Sequence, residues 1–161
     1  MIKHLAGLVL VGVAACASKD APIPALRPGV PQVATEAPDP SPLEQYDIPS
    51  GRCGMILWST AGSRVVPIFR SVDATLATMR IEGEDIPLSL VAQEGALRLG
   101  MRASQQFSGA TSKQKITVDS NIQWGQPFPG GIYVQRGTLT TSGEDGWGRV
   151  MPVAGIAGCK A

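Results

Sequence analysis

From Gly51 to the end of the chain, short runs of alternating apolar and polar residues are separated by turn-forming residues. This pattern constrains the fold more than any other feature, because successive side chains of a β-strand point to opposite faces. The clearest run is Lys115–Trp124. One face of it carries Ile116, Val118, Ile122 and Trp124, and the other carries Thr117, Asp119, Asn121 and Gln123.

Similar runs, separated by turns such as Gln93-Glu94-Gly95, predict about eight strands in this region. Short connections favour antiparallel neighbours, since a parallel crossover needs a dozen or more residues. We therefore predict an all-β fold, a small antiparallel meander curled into a barrel or a sandwich, although Asp73–Arg80 could instead form a short helical turn. The predicted strands are Cys53–Ser59, Arg64–Arg70, Met79–Ile81, Ile86–Leu90, Leu97–Arg102, Lys115–Trp124, Ile132–Thr141 and Trp147–Cys159.

The N-terminus has the layout of a secretory signal, with a basic start at Met1–His4 and an apolar stretch at Leu5–Ala15. As a helix this stretch would span roughly 17 Å, against a hydrocarbon core of about 30 Å, so a stable transmembrane helix is disfavoured. Two alternatives for this segment are an ordinary secretion signal and a buried helix of a cytosolic protein. The residues that end the segment, Val13–Cys16, favour a third assignment.

Val13-Ala14-Ala15-Cys16 resembles the lipobox of bacterial lipoproteins. The resemblance implies cleavage of residues 1–15, a covalent lipid on Cys16, and a membrane location reached through that anchor. Ala17 in the next position resembles the signal for sorting to the outer membrane of Gram-negative bacteria. In overall layout the chain is also similar to lipid-anchored lysozyme inhibitors, which are small β-barrels with disulfides, but their inhibitory motif has no counterpart here.

Cleavage would remove Lys3 and the only histidine, His4, from a chain with 14 basic and 13 acidic side chains. A mature chain without histidine lacks the usual proton shuttle near neutral pH and the commonest metal ligand. Its balanced charge carries no signal for nucleic acid. We therefore expect no catalytic residues, no metal site and no cofactor beyond the lipid on Cys16.

Two further cysteines, Cys53 and Cys159, lie at the two ends of the strand-rich region. Outside the cytoplasm such a pair usually oxidises, so we predict a disulfide that ties the first strand to the last. The alternative is a pair of separate buried thiols.

Residues 16–50 differ from the rest, because eight of the 13 prolines fall within them. Proline lacks a backbone donor and favours extended geometry, so we predict a flexible tether over 16–50 and a β domain over 51–161. A proline motif that binds a partner is the alternative for this segment.

The loop that contains Trp124 and Phe128, rich in glycine and proline, is the candidate ligand or partner loop, although both aromatics could simply cap the core. The acidic turns at 82–85 and 144–145 lack calcium-site spacing and are expected to be solvated tips. Arg98, Arg102, Arg136 and Arg149 could gather as an anion-binding face or be dispersed.

Together these features predict a lipid-anchored, non-catalytic envelope protein that faces the periplasm or the cell surface. It would serve as a structural module or as a binding module for an envelope protein or a glycan. A lipocalin-like carrier of a small apolar ligand is the first alternative, although a domain of this size is expected to fill its barrel with side chains. A hydrolase that uses two carboxylates is the second.

Overall fold

The computed structural model describes residues 37–61 and 63–161. The predicted signal segment 1–15 and the predicted lipid-attachment residue Cys16 lie outside the described residues. No helix in the described ranges is long and apolar enough to span a membrane. The described residues form the strands β1 (Pro40–Ser41), β2 (Cys53–Ala61), β3 (Arg64–Val72), β4 (Leu76–Ile81), β5 (Glu84–Arg98), β6 (Met101–Ala110), β7 (Lys115–Phe128), β8 (Gly131–Gly143) and β9 (Gly148–Cys159).

Strands β2 to β9 form an antiparallel meander in which each strand pairs with the next along the chain. The last strand, β9, pairs with β2 from Cys53↔Cys159 to Trp58↔Ala154, which closes the sheet into an eight-stranded barrel. The predicted all-β meander is therefore confirmed, and of the two predicted architectures the barrel is the one that forms.

The barrel has two ends, which we name by what closes them. At the capped end lie the turns between β2 and β3, β4 and β5, β6 and β7, and β8 and β9. At the disulfide end lie the remaining turns, together with Cys53 and Cys159.

Side chains fill the centre of the barrel. Phe69 on β3 and Phe107 on β6 meet edge to face, with ring centroids 5.4 Å apart. Interiors of eight-stranded barrels are just wide enough for such filling. The largest fully buried side chains are Phe69, Phe107, Met55, Leu57, Met79, Ile81, Ile86, Leu88, Met101, Ile116, Leu139 and Val118.

The β5–β6 hairpin differs from its prediction. The expected turn at residues 93–95 is an irregularity within β5, where the pairing with β6 shifts between Glu94 and Leu97. The turn itself comes later, at Leu99 and Gly100, which have φ of 49° and 77°. The predicted strand Leu97–Arg102 therefore crosses a turn, and most of β6 was missed because Gln105 interrupts its apolar face.

The predicted helical alternative at Asp73–Arg80 is wrong. Asp73 and Ala74 form a tight turn in which both residues have positive φ, at 49° and 59°. The chain then continues as β4, whose Ala77 and Met79 face the barrel interior.

The last part of the predicted tether lies against the barrel, from the capped end at Pro38 to the disulfide end at Ile48. Leu43 is 4% exposed, and Pro38 is buried with its carbonyl oxygen accepting a 3.0 Å hydrogen bond from Thr141 Oγ1. Strand β1 pairs with the end of β4, and Asp39 forms an ion pair with Arg149 on β9. We call residues 37–48 the strap, and the folded unit includes it although the proline content favoured a boundary at residue 51.

The structure joins Cys53 and Cys159 by a disulfide between directly paired residues of β2 and β9. The bridge therefore lies on the strand pair that closes the barrel. It links positions 106 residues apart, so it restricts almost the whole domain in the unfolded state.

Replacing one cysteine tests the bridge. We expect Cys159→Ser to lower the free energy of unfolding by up to about 5 kcal/mol, because the unfolded chain regains the entropy that closing a loop of about 100 residues removes. Thermal melting under oxidising conditions measures the effect. Adding reductant to the wild type should reproduce it, whereas a Cys159→Ser variant that melts with the oxidised wild type would contradict a stabilising bridge.

The strap is tested by shortening Leu43. We expect Leu43→Ala to destabilise the domain by about 2–4 kcal/mol, as for other fully buried leucines. Tyr46→Ala is the matched control on the same segment, because Tyr46 is 41% exposed and should change stability by less than about 0.5 kcal/mol. Equal melting temperatures for the two variants in chemical and thermal unfolding would show that the strap contributes nothing to the fold.

Candidate functional site

A row of apolar side chains crosses the outer face of the barrel on three neighbouring strands. Ile56 on β2 pairs with Ile156 on β9, and Ile156 pairs in turn with Tyr133 on β8. Residues paired in register share a face, so these side chains stand side by side. Tyr133 is 51% exposed, and the two isoleucines are half-buried.

The next row toward the disulfide end consists of glycines only. Gly54, Gly158 and Gly131 are paired in register across β2, β9 and β8. A Cβ at Gly54 would collide with the Ile48 side chain, and one at Gly131 would collide with the Phe128 ring. The strap therefore covers one end of the glycine row and Phe128 covers the other.

An apolar groove remains above Gly158, between Ile48 and Phe128. It has a volume of about 300 Å³. We call it the glycine-row groove, and its lining is Asp47, Ile48, Gly54, Ile56, Phe128, Gly130, Ile156, Gly158, Cys159 and Lys160. Its size suits one or two apolar side chains, and Asp47 and Lys160 supply one charge of each sign.

The floor of this groove is rigid for two reasons. Cys53 and Cys159 tie β2 to β9 at its edge. Backbone hydrogen bonds from Gly51 N to Lys160 O at 2.8 Å and from Lys160 N to Arg52 O at 3.0 Å continue the pairing beyond the bridge. A preorganised surface loses less conformational entropy when a partner binds.

The structure gives the two predicted aromatic residues different positions. Phe128 lines the groove and packs against Tyr133, with ring centroids 4.8 Å apart. Trp124 instead packs against the barrel core, and its indole N–H donates a 3.1 Å hydrogen bond to Ala96 O. Only Phe128 of this pair belongs to the groove, and the isoleucines that complete it were not identified from the sequence as site residues.

The acidic turn at residues 82–85 lies at the capped end and contacts a neighbouring loop. Glu82 forms an ion pair with Lys113 on the neighbouring loop. The hydrogen bond that Lys113 Nζ donates to Glu82 Oε2 raises the pKa of Lys113, and the negative charge of Glu82 raises it further. In the second turn Asp145 accepts a hydrogen bond from Trp147 N. Within the described ranges, no three side chains of His, Cys, Asp or Glu are grouped to hold a metal ion.

The four candidate arginines make their contacts at three different places on the barrel. Arg149 pairs with Asp39 at the capped end. Arg98 and Arg102 lie on opposite strands of the β5–β6 hairpin and donate to Leu97 O and Gly95 O. Arg136 on β8 donates to Gln123.

The chain matches no protein-family model, no curated protein and no solved structure.

The glycine row predicts a steric limit. We expect Gly54→Val to destabilise the domain by about 1–3 kcal/mol, because its side chain must displace Ile48 and press on the backbone of Ser71. Ala154→Val is the control, since Ala154 is exposed on the outer face of β9. Urea unfolding of both variants measures the difference, and a Gly54→Val variant as stable as Ala154→Val would refute the close approach of the strap.

Proposed function

We propose that this chain is a lipid-anchored, non-catalytic module of the bacterial cell envelope that binds a protein partner through the glycine-row groove. A lipid on Cys16 holds it at the outer membrane, and residues 17–36 separate the anchor from the strap. The observation that carries the binding role is the apolar groove on the outer wall, with its floor fixed by the disulfide.

The anchoring part of the proposal is supported by the lipobox-like sequence Val13–Cys16 and by the disulfide. Disulfides persist in oxidising compartments such as the bacterial periplasm. A small domain outside the cytoplasm gains most from such a bridge, because its core alone supplies limited stability.

The protein-binding part is supported by the chemistry of the groove. Its central walls are isoleucine and phenylalanine side chains, which match apolar side chains of a protein better than the hydroxyl groups of a glycan. Apolar anchors that fill a well-formed pocket carry much of the energy of protein interfaces. Asp47 and Lys160 would then orient the partner by charge.

The packed barrel interior favours this outer surface over the carrier alternative. The contact between Phe69 and Phe107 occupies the middle of the barrel, where a lipocalin-like ligand would lie. Such a ligand could enter only if fully buried side chains moved, which costs packing energy.

Site-specific photocrosslinking in the native envelope tests the binding proposal. A benzoylphenylalanine at position 133, in the apolar row, should give one discrete crosslinked product. The same probe at Val65, which is 70% exposed and outside the groove, should not give it. Adding Ile156→Asp should abolish the product from position 133, because a carboxylate would then stand in the groove.

Folding of the Ile156→Asp variant must be confirmed by its melting curve. Phe128→Ser provides a second variant of the same wall. Crosslinks of equal yield from positions 133 and 65, or a product that survives both groove substitutions in folded protein, would refute the groove as the binding surface.

The anchor is tested separately by mass spectrometry of protein purified from membranes. We expect a mature chain that begins at Cys16 and carries the mass of attached acyl chains. A chain that begins at Met1, or at Cys16 without lipid, would refute the anchor and leave the binding proposal standing.

A further inference from the structure

The three most exposed large apolar side chains of residues 37–61 and 63–161 all lie at the capped end of the barrel. Val65 is 70% exposed, Trp147 is 68% exposed and Val150 is 64% exposed. Val65 follows the turn between β2 and β3, Trp147 lies in the turn between β8 and β9, and Val150 comes three residues later. Exposed apolar groups that collect on one surface mark an interaction site. We call these three residues the capped-end patch.

The members of the patch are close enough to be covered by one surface. Val65 on β3 is paired with Thr60 on β2. Ser59 Oγ donates a 2.8 Å hydrogen bond to Pro152 O, so this end of β2 lies beside the first part of β9. Only β2 therefore separates Val65 from Val150, which corresponds to about 10 Å at about 4.8 Å between neighbouring strands.

The turn between β8 and β9 holds Trp147 in place through its backbone. Trp147 N donates a 3.1 Å hydrogen bond to Asp145 Oδ1, and Trp147 O accepts one of 3.0 Å from Gly143 N. Both backbone polar groups are thus bonded, while the indole stands in solvent. A side chain presented by a fixed turn loses little conformational entropy when it binds a surface.

The strap joins the barrel directly beside the patch. Asp39 forms a 3.2 Å ion pair with Arg149. Arg149 lies between Trp147 and Val150 in the sequence. A chain that runs from a lipid on Cys16 to the strap therefore arrives at the capped-end patch.

The length of this connection favours a bilayer as the surface that covers the patch. As the flexible tether that the sequence predicts, residues 17–36 would have an end-to-end distance of about 25 Å. Strand β8, with 13 residues, is about 43 Å long at about 3.3 Å per residue. The tether therefore keeps the capped end nearer to the bilayer than the disulfide end. Anchoring also makes docking intramolecular, so a small patch is sufficient.

We infer that the capped end docks on a lipid surface, with Trp147 in the headgroup region. This inference rests on the proposed anchor at Cys16. An indole has an apolar body and a polar N–H, which is why tryptophan is enriched where a bilayer meets water. Val65 and Val150 add apolar area on both sides of it.

The charges of the same turn favour one kind of lipid. Glu144 and Asp145 precede Trp147, whereas anionic lipids attract clusters of lysine and arginine. The capped-end patch therefore fits zwitterionic headgroups better than anionic ones.

Docking in this way orients the glycine-row groove. Gly54 and Gly158 lie beside the disulfide, at the end of the barrel opposite the patch. With the capped end on the bilayer, the groove faces away from the membrane. A protein partner can then reach the groove without contact with the lipid.

The experiment places the lipidated full chain in phosphatidylcholine vesicles, part of whose lipid is brominated near the headgroup. Bromine quenches a tryptophan that it contacts. We expect quenching in the wild type and at least about threefold less quenching in Trp147→Phe, because Trp58 and Trp124 are half-buried in the barrel. Equal quenching in the two proteins would overturn the inference.

Two further tryptophan probes test which end of the barrel is docked. In the Trp147→Phe background, Val65→Trp should restore the quenching. Leu97→Trp should not, because Leu97 is 49% exposed next to the β5–β6 turn at the disulfide end. Equal quenching of the two probes would contradict docking through the capped end.

A pair of matched valine substitutions tests the patch itself. Val150→Asp should reduce the quenching of Trp147 at least about twofold, because a carboxylate would then face the lipid. Val91→Asp is the control, since Val91 is 62% exposed on the part of β5 that extends past its pairing with β4 toward the disulfide end. Both variants should keep the wild-type melting temperature, as is usual for exposed positions. Equal effects of the two substitutions on quenching would refute the patch.

Flotation of the vesicles separates a failure of docking from a failure of the anchor. Protein that floats with the vesicles while Trp147 remains unquenched would refute docking and leave the anchor standing, and the patch would then be free for a protein. Protein that does not float would refute the anchor and the docking with it. Neither result changes the crosslinking test of the glycine-row groove.

Discussion

Pairing between β2 and β9 is the interaction on which the rest of this structure depends. A meander of eight strands has two free edges until its first and last strands meet, and closure removes both. The Cys53–Cys159 bridge lies on that pair and lowers the entropy lost when the two ends of the domain come together. The glycine-row groove is a direct consequence, since Gly54 and Gly158 can form its floor only when β2 and β9 are paired.

The strap extends closure to the capped end. Strand β1 adds to β4, while the Leu43 amide donates a 2.8 Å hydrogen bond to Pro67 O on β3. The Leu43 side chain is buried, and its backbone hydrogen bond ties the strap to β3, the strand that pairs with β2. Prolines suit this segment because it runs across the barrel without a continuous strand partner, so few of its amides are needed for pairing. A proline-rich composition is therefore compatible with a flexible tether and with a strap that packs on the domain. The buried Leu43 is what distinguishes the strap from a tether.

The sequence was sufficient to predict the fold class and the cysteine pairing, because each depends on local alternation or on position along the chain. The predicted number of about eight strands agrees with the barrel only because the misplaced strand Leu97–Arg102 takes the place of the missed β6. It was insufficient where tertiary contacts override the local pattern. Gly95 indicated a turn, but its positive φ of 83° serves the irregularity inside β5. Gln105 concealed β6 because a buried polar residue breaks the alternation. The groove could not be predicted, since the row Gly54, Gly158 and Gly131 is recognisable only once the register of three strands is known.

The groove that we propose as a binding site arises where the barrel departs from a uniform wall. Side chains are missing from the outer face there, and the resulting depression is bordered by the strap and Phe128. A small barrel with a packed interior can bind only through its wall or its ends, and the strap occupies much of one end. In the function that we propose, this local irregularity of the wall supplies the binding surface and leaves the Phe69 and Phe107 core unchanged.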